Sequence, residues 1–280
     1  MAQVISINNR GLKFNDKLLR WDAPIPSGYC AEYQAVYAAY DTKPDAADAV
    51  IDNTLVEGLV SDGVWAKLDG FWVFANHVTG ADSLRNWKTP ANTATAYNAP
   101  AFGQWEGWTG NGLNAYIDVH FNPTNDGVNY VQDSASMGIY IRNSVSEAKY
   151  DFGYFGAPGT YAGFKWTTNY MYFRHNSGIQ SDVVNTDSRG MHIVNRTKST
   201  HQSWFKNKAE SEMVAVSSGV HDNKTFVLGA SRYAAGSLFS PCTKQASLFF
   251  TGSGLTQTDI NNITDRFETR MDAHGKGVIT

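Results

Sequence analysis

The sequence predicts a mainly β fold, a sandwich or barrel of short strands, with one helix near the N-terminus and one amphipathic helix at the end. Three observations carry this. Short alternating apolar stretches are broken by Gly, Asn, Asp and Thr about every ten residues, the spacing of an all-β domain rather than of alternating strands and helices. Aromatic residues make up 13% of the chain, with 8 Trp and 14 Tyr, and rings of this size fill the faces of packed sheets. The closing stretch, "SLFFTGSGLTQTDINNITDRFETRMDAHG", runs a strand into a helical pattern unlike the β-rich chain before it.

Composition limits the alternatives. A chain of 280 residues with 42% hydrophobic and 18% charged residues folds around a large core. Net charge is −3 and the basic residues are scattered singly, so there is no footprint for nucleic acid and no polybasic membrane anchor. The most apolar window, "FWVFANHV", is far too short to span a bilayer. The N-terminus "MAQVISINNRGLKF" lacks a basic region followed by an apolar run, which gives the expectation of a soluble chain made in a cytoplasm. Cys30 and Cys242 are read as two buried thiols rather than a bridge, since nothing else suggests a secreted disulfide scaffold.

Taken in order, residues 1–41 read as an extended arm or docking segment. "AQVISI" and "LKF" suit short strands, and the prolines of "PIPSGYCAEYQAVYAAY" forbid a central strand there. Residues 42–280 read as one domain. It opens on a helix in "TKPDAADAVIDNTLVEGLVSDG", where Ala47, Ile51, Leu55 and Leu59 repeat at i+4, Pro44 and Asp45 suit the first turn, and Ser61-Asp62-Gly63 ends it. "VWAKLDGFWVFANHV" reads as a buried strand. Short strands follow at "TATAY", "GWTGNGLNAYIDVHF", "ASMGIYIRN", "DFGYFG", "NYMYFRHN", "GMHIVNRT", "HQSWFKNKAE", "SEMVAVSS", "KTFVLGAS" and "ASLFFTG". In the closing helix Thr256 and Asp259 form a capping-box pattern, Ile260, Ile263, Phe267 and Met271 share one face, and Gly275 and Gly277 stop it. That face must be buried, most simply across an open end or edge of the sandwich, where it would protect an edge strand. The helix is assigned no chemistry.

The order of these segments carries a resemblance. The helix, "LVSDGVWAKLDGFWVFANH", "RNWKTPANTATAYNAPAFGQWEGWTGNGLNAYIDVHFNP", "ASMGIYIRN", "HIVNRT", "KTFVLGAS" and the closing strand-helix unit resemble concanavalin A-like (laminin G-like) jelly-roll structural proteins of tailed bacteriophages, in particular phages of Bacteroidetes. The resemblance covers residues 45–275. It implies an antiparallel two-sheet jelly roll and a virion component assembled in the host bacterial cytoplasm. The leader departs from it, which leaves the mode of attachment open.

The residues offer little catalytic chemistry. The resemblance brings in glucanases, whose paired carboxylates follow E-x-D-x-E or its bulged form, and neither occurs here. Glu210 and Glu212 read as exposed turn positions, and Glu106 in "QWEGW" as a partly exposed structural carboxylate. "TGSGL" lacks the nucleophile-elbow spacing, and "TGNG" and "GAPGTYAG" do not join a strand to a helix as a phosphate loop must. His77, His120, His175, His192, His201, His221 and His274 show no metal-ligand spacing, and no Cys/His cluster suggests zinc. No cofactor is implied. The resemblance admits calcium, but "NPTNDGVN" and "DTKPDAAD" read as polar loops without converging carboxylates.

Glycan contact has more support. Sugar sites pair an aromatic ring with planar polar groups, and Trp105, Trp108, Asn111 and Asn114 supply such a set, as do Trp166, Tyr170 and Arg174; the alternative for Trp105 and Trp108 is a place in the core or a subunit interface. The expected function is therefore a non-enzymatic virion protein, a capsid decoration, head fibre or tail-associated part. It would be homo-oligomeric, a trimer for preference, and held to other virion proteins by the N-terminal arm. The alternatives are a receptor-binding protein that contacts host surface polysaccharide through Trp105 to Asn114, and, after it, a glycan hydrolase.

Overall fold

The computed structural model of the chain describes residues 6–8, 11–14, 17–20, 28–233 and 237–280. Strands β1 (Ser6–Asn8), β2 (Gly11–Phe14) and β3 (Lys17–Arg20) form a small antiparallel meander. The rest of the expected arm, residues 1–5, 9–10, 15–16 and 21–27, lies outside the described residues. Helices α1 (Ala31–Ala39) and α2 (Ala46–Ser61) come next, then β4 (Leu68–Val73). Four short strands follow: β5 (Thr95–Tyr97), β6 (Ala101–Gly103), β7 (Gly107–Thr109) and β8 (Tyr116–Asp118). The long strand β9 (Ala135–Ile141) leads to β10 (Phe152–Phe155), β11 (Gly159–Gly163), β12 (Tyr170–Ser177) and β13 (Ser181–Val184). After these come β14 (Gly190–Lys198), β15 (His201–Lys206), β16 (Ala209–Ala215), β17 (Val227–Leu228), β18 (Ser231–Tyr233) and β19 (Leu238–Phe239). Strand β20 (Gln245–Gly252) and helix α3 (Gln257–Ala273) close the fold.

Two sheets make the predicted sandwich. One runs β16-β15-β14-β9-β20-β7-β6, with β4 also paired to β20; the other runs β13-β12-β11-β10-β17-β8-β5, with the β18–β19 ribbon joined to β10. Apart from the parallel β10–β18 contact, the pairings within the two sheets are antiparallel.

The first sheet is covered on both faces. On β9, Met137, Ile139 and Ile141 enter the core between the sheets, while Tyr140 faces the helices. Gly138 is bare because the Phe250 ring lies across it, and a Cβ there would come within 2.1 Å of that ring. Burial on both faces is why β9 and the "SLFF" of β20 read as unbroken apolar runs instead of alternating ones. The helices complete a third layer, joined to the outer face of this sheet by one apolar cluster that includes Phe71, Val73, Tyr140, Ile193, Phe205 and Phe250. Among the described residues, no helix covers the outer face of the second sheet.

The closing helix forms as its sequence dictates. Asp259 accepts the Thr256 backbone N–H at 2.8 Å while Thr256 Oγ1 accepts the Asp259 N–H at 3.3 Å, and Lys67 donates to Asp259 at 2.6 Å. Ile260, Ile263, Phe267 and Met271 are fully buried, and Gly275, at φ 65°, turns the chain out of the helix. It does not seal an end or edge of the sandwich, as expected, but lies on the sheet face, with Phe267 5.1 Å from the Tyr140 ring. Sequence periodicity identifies an apolar stripe without saying which surface it will meet.

Two further expectations are corrected. Residues 31–39 are not extended: they form α1, and Tyr33, Val36, Tyr37 and Tyr40, spaced i, i+3, i+4 and i+7, are buried in the helical layer. Helix α2 starts at an Asp45 cap and buries Leu55 and Leu59 as predicted, but its buried face also takes in Ala49, Asp52 and Val56, with Ile51 half-buried and Ala47 exposed. Asp52 lies inside because Arg270 of α3 donates to it at 2.7 Å, an ion pair that fixes how the two helices meet. Both cysteines are unpaired; Cys242 is buried and Cys30 only half-buried.

Candidate functional site

The outer face of the second sheet carries a cluster of aromatic rings. Strand alternation puts it there. On β10, Phe152 and Tyr154 point into the core and Phe155 points out; on β12, Met171 and Phe173 are core residues while Tyr170, Tyr172 and Arg174 face outward. Tyr161 on β11 faces outward too. Tyr150 and Tyr161, although buried, belong to neither core cluster, because a third cluster of rings covers them on this outer side.

The rings form a continuous sequence of contacts. Trp166 meets Tyr172 at 4.7 Å and Tyr150 at 5.6 Å, edge to face in both cases. Tyr150 meets Tyr161 at 4.8 Å, and Tyr161 stacks on Phe155 at 5.0 Å. Tyr233 and Phe239 from the β18–β19 ribbon close over Phe155 at 5.2 and 5.7 Å. Trp166 reaches its place because Gly163 has no side chain; a Cβ there would come within 2.6 Å of its Nε1 and 2.4 Å of the Lys149 carbonyl oxygen. Phe155, Trp166, Tyr172 and Phe239 are half-buried, and Tyr170 and Tyr233 are 36% and 38% exposed.

Arg174 lies among these rings. Its guanidinium carbon is 5.6 Å from the Phe155 centroid and 5.4 Å from that of Tyr161, and Nη1 donates to the Gly156 carbonyl oxygen at 3.0 Å. The Tyr161 hydroxyl donates to Gln180 Oε1 at 2.9 Å. Burial pushes the phenols of Tyr150 and Tyr161 up, against the pull of Arg174, so both stay neutral at physiological pH.

The residues singled out in sequence fall in different places. Trp105 lies on the helical side, stacked on His274 at 3.8 Å with the rings 7° from parallel and Arg270 5.7 Å away. Trp108 turns to the core between the sheets, against Phe102 at 5.1 Å, and lines a small apolar cavity with Ile117, Ile141, Leu228 and Cys242. Asn111 Oδ1 accepts the backbone N–H groups of Leu113, Asn114 and Ala115, each at 2.9 Å, and its amide donates to Asn114 Oδ1 at 3.0 Å. These two amides hold the loop together. The four residues therefore share no face. Trp166, Tyr170 and Arg174 do share one, joined by rings from β10, β18 and β19 that sequence spacing could not connect.

Glu106 accepts from Lys276 at 2.5 Å and pairs with Arg142 at 3.4 Å, contacts that hold its carboxyl below the usual range and tie down the C-terminal segment. Glu210 and Glu212 lie on edge strand β16, not in a turn. Among the described residues no three His, Cys, Asp or Glu side chains converge as a metal set, and no helix is long and apolar enough to cross a membrane.

No family model and no curated protein matches the chain. Solved structures do. A Trypanosoma rangeli sialidase mutant displaying trans-sialidase activity superposes over 84% of the chain at a TM-score of 0.53 and 10% identity. The binding domain of botulinum neurotoxin serotype D superposes over 74% at 0.53 and 10% identity, and the receptor binding domain of the C/D mosaic serotype over 72% at 0.54 and 9%. They share its fold. The chain spans 40% of the sialidase mutant and 52% and 51% of the two toxin domains. The expectation of a chain without enzymatic activity is thereby corrected. A sandwich of this kind is present in a sialidase, and the missing E-x-D-x-E pattern tests only one arrangement of glycosidase carboxylates.

Proposed function

We propose that the chain is a glycan-contacting sandwich module of a bacteriophage virion, and that its contact surface is the outer face of the nine-stranded sheet. The observation that carries this is the ring cluster from Tyr150 to Phe239, which contributes to neither core and surrounds an arginine. A contiguous apolar patch of this kind on a β-sheet marks a contact surface, and half-exposed rings offer flat faces for pyranose stacking. The shared fold agrees with this reading, since it includes domains named for receptor binding and sialidases. The virion setting rests on the sequence resemblance over residues 45–275. In that setting the module is a decoration, head-fibre or tail-associated part, homo-oligomeric and held by its N-terminal segment.

The test is titration of the protein with host surface polysaccharide while Trp emission is followed. Saturable change that is lost in Trp166→Ala and kept in Trp105→Phe supports the reading, and the reverse pattern returns the site to the Trp105–Asn114 loop. Release of reducing sugar in the same mixture would add turnover to binding. Immunogold labelling of parent virions tests the setting: label on head or tail is the expected result, and unlabelled particles would refute it.

A further inference from the structure

Resting on that reading, we infer that the outer face selects glycans that carry carboxylates, and that Arg174 is the residue that reads the acid. The argument begins with the other arginines. Of those whose side chains are described, Arg85, Arg142, Arg189, Arg232, Arg266 and Arg270 each meet a carboxylate of this chain. Arg196 meets none, but it is saturated by the carbonyl oxygens of His175, Lys198, Ser199 and Val216. Arg174 alone among them has neither. Its hydrogen bonds go to the Gly156 carbonyl oxygen and the Tyr161 hydroxyl, and its Nε is buried without an acceptor.

A half-buried guanidinium without an acid is a costly arrangement unless something else holds it or completes it. Here two ring faces hold it, which fixes the plane of the fork while leaving donors unused. A carboxylate is the group that fits such a fork with two parallel hydrogen bonds, and a neutral hydroxyl is not. Among the described residues no carboxylate pairs with Arg174: Asp182 on the neighbouring strand is exposed, pairs in register with Tyr172, and forms no ion pair with it. The whole chain carries a net charge of −3, so general attraction of acidic polymers would not produce the same preference. The ligand class is therefore an acidic sugar, a uronate or a sialate, with its ring against Phe155, Tyr172 or Tyr233 and its carboxylate on Arg174.

The experiment uses the full chain and two matched pairs: a galacturonate oligosaccharide against its carboxyl-reduced galactose counterpart, and sialyllactose against lactose. Calorimetric titration is expected to show the acid form of at least one pair bound about tenfold or more tightly than its neutral partner. That preference should vanish in Arg174→Gln, survive in part in Arg174→Lys, and weaken with added salt. Trp166→Ala should weaken acid and neutral forms together. Circular dichroism melting of each variant identifies a fold defect, and Arg174→Lys carries the test if Arg174→Gln melts early. Equal binding of acid and neutral forms by the wild type overturns the selectivity and leaves the contact face standing. Acid preference that persists in both Arg174 variants overturns the role of Arg174. Absence of any binding, to these probes and to host polysaccharide, overturns the face reading and this inference with it.

Discussion

Replacing His192 with Leu is expected to flatten the acid side of the stability curve. His192 is fully buried on β14, 4.2 Å from the Phe164 ring and 5.8 Å from Trp204. Its Nε2 lies 2.9 Å from the Ser188 carbonyl oxygen and so carries the proton, while Nδ1 has no partner. Burial, aided by Lys206 and Lys244, pushes its pKa down to about 3 despite that carbonyl. In the unfolded chain an imidazole titrates near 6.5. Between those values the unfolded state binds a proton that the native state does not. Stability is therefore full above about pH 6.5 and falls as pH is lowered, by about 1.4 kcal/mol per unit. From pH 7.5 to 4.5 only the two units below 6.5 count, about 2.7 kcal/mol from this residue. Urea unfolding at both pH values measures it. Whatever Leu does to packing, the variant should lose about 2.7 kcal/mol less than the wild type over that interval, because His175 and the carboxylates contribute to both and cancel. Equal losses in the two proteins would refute the reasoning.

Three other outcomes follow from the packing. Phe267→Ala should cost about 3–5 kcal/mol in urea unfolding, since the ring is fully buried against Tyr140, and a loss below about 1 kcal/mol would mean that α3 is not docked there. Thr256→Ala should cost about 1 kcal/mol by removing half of the capping box, with hydrogen exchange faster in the first turn of α3 than in its centre. Gly163→Ala should displace Trp166, because its Cβ has no room beside Nε1 and the Lys149 carbonyl. The expected signs are a shifted Trp emission and glycan binding weakened as in Trp166→Ala, and unchanged binding would place Trp166 outside the contact.

Much of the fold is written locally. Thr256, Asp259 and the Ile260–Met271 stripe define α3 before any tertiary contact is known, and alternation in "NYMYFRHN" already separates Tyr170, Tyr172 and Arg174 from Met171 and Phe173. What the sequence hides depends on partners distant in the chain. Asp52 looks like a surface residue until Arg270, 218 positions later, is seen to neutralise it. Helix α1 was legible in Tyr33, Val36, Tyr37 and Tyr40, but Pro24 and Pro26 draw attention to an extended reading of the same stretch. The clustering of Trp105 with Trp108 misleads for a related reason. Trp105 has φ 60°, and Trp108 follows it in strand β7, between β20 and β6, so residues three apart serve opposite sides of one sheet. The ring cluster of the outer face joins residues from Tyr150 to Phe239, and no linear pattern connects them.

The central claim is that ligand contact belongs to the outer face of the nine-stranded sheet. Hydrogen-exchange mass spectrometry of the full chain, with and without saturating host polysaccharide, tests it most directly. The account predicts slowed exchange in residues 150–184 and 231–239, with the helical layer and residues 105–114 unchanged. Protection confined to residues 105–114 or to the helices would contradict it.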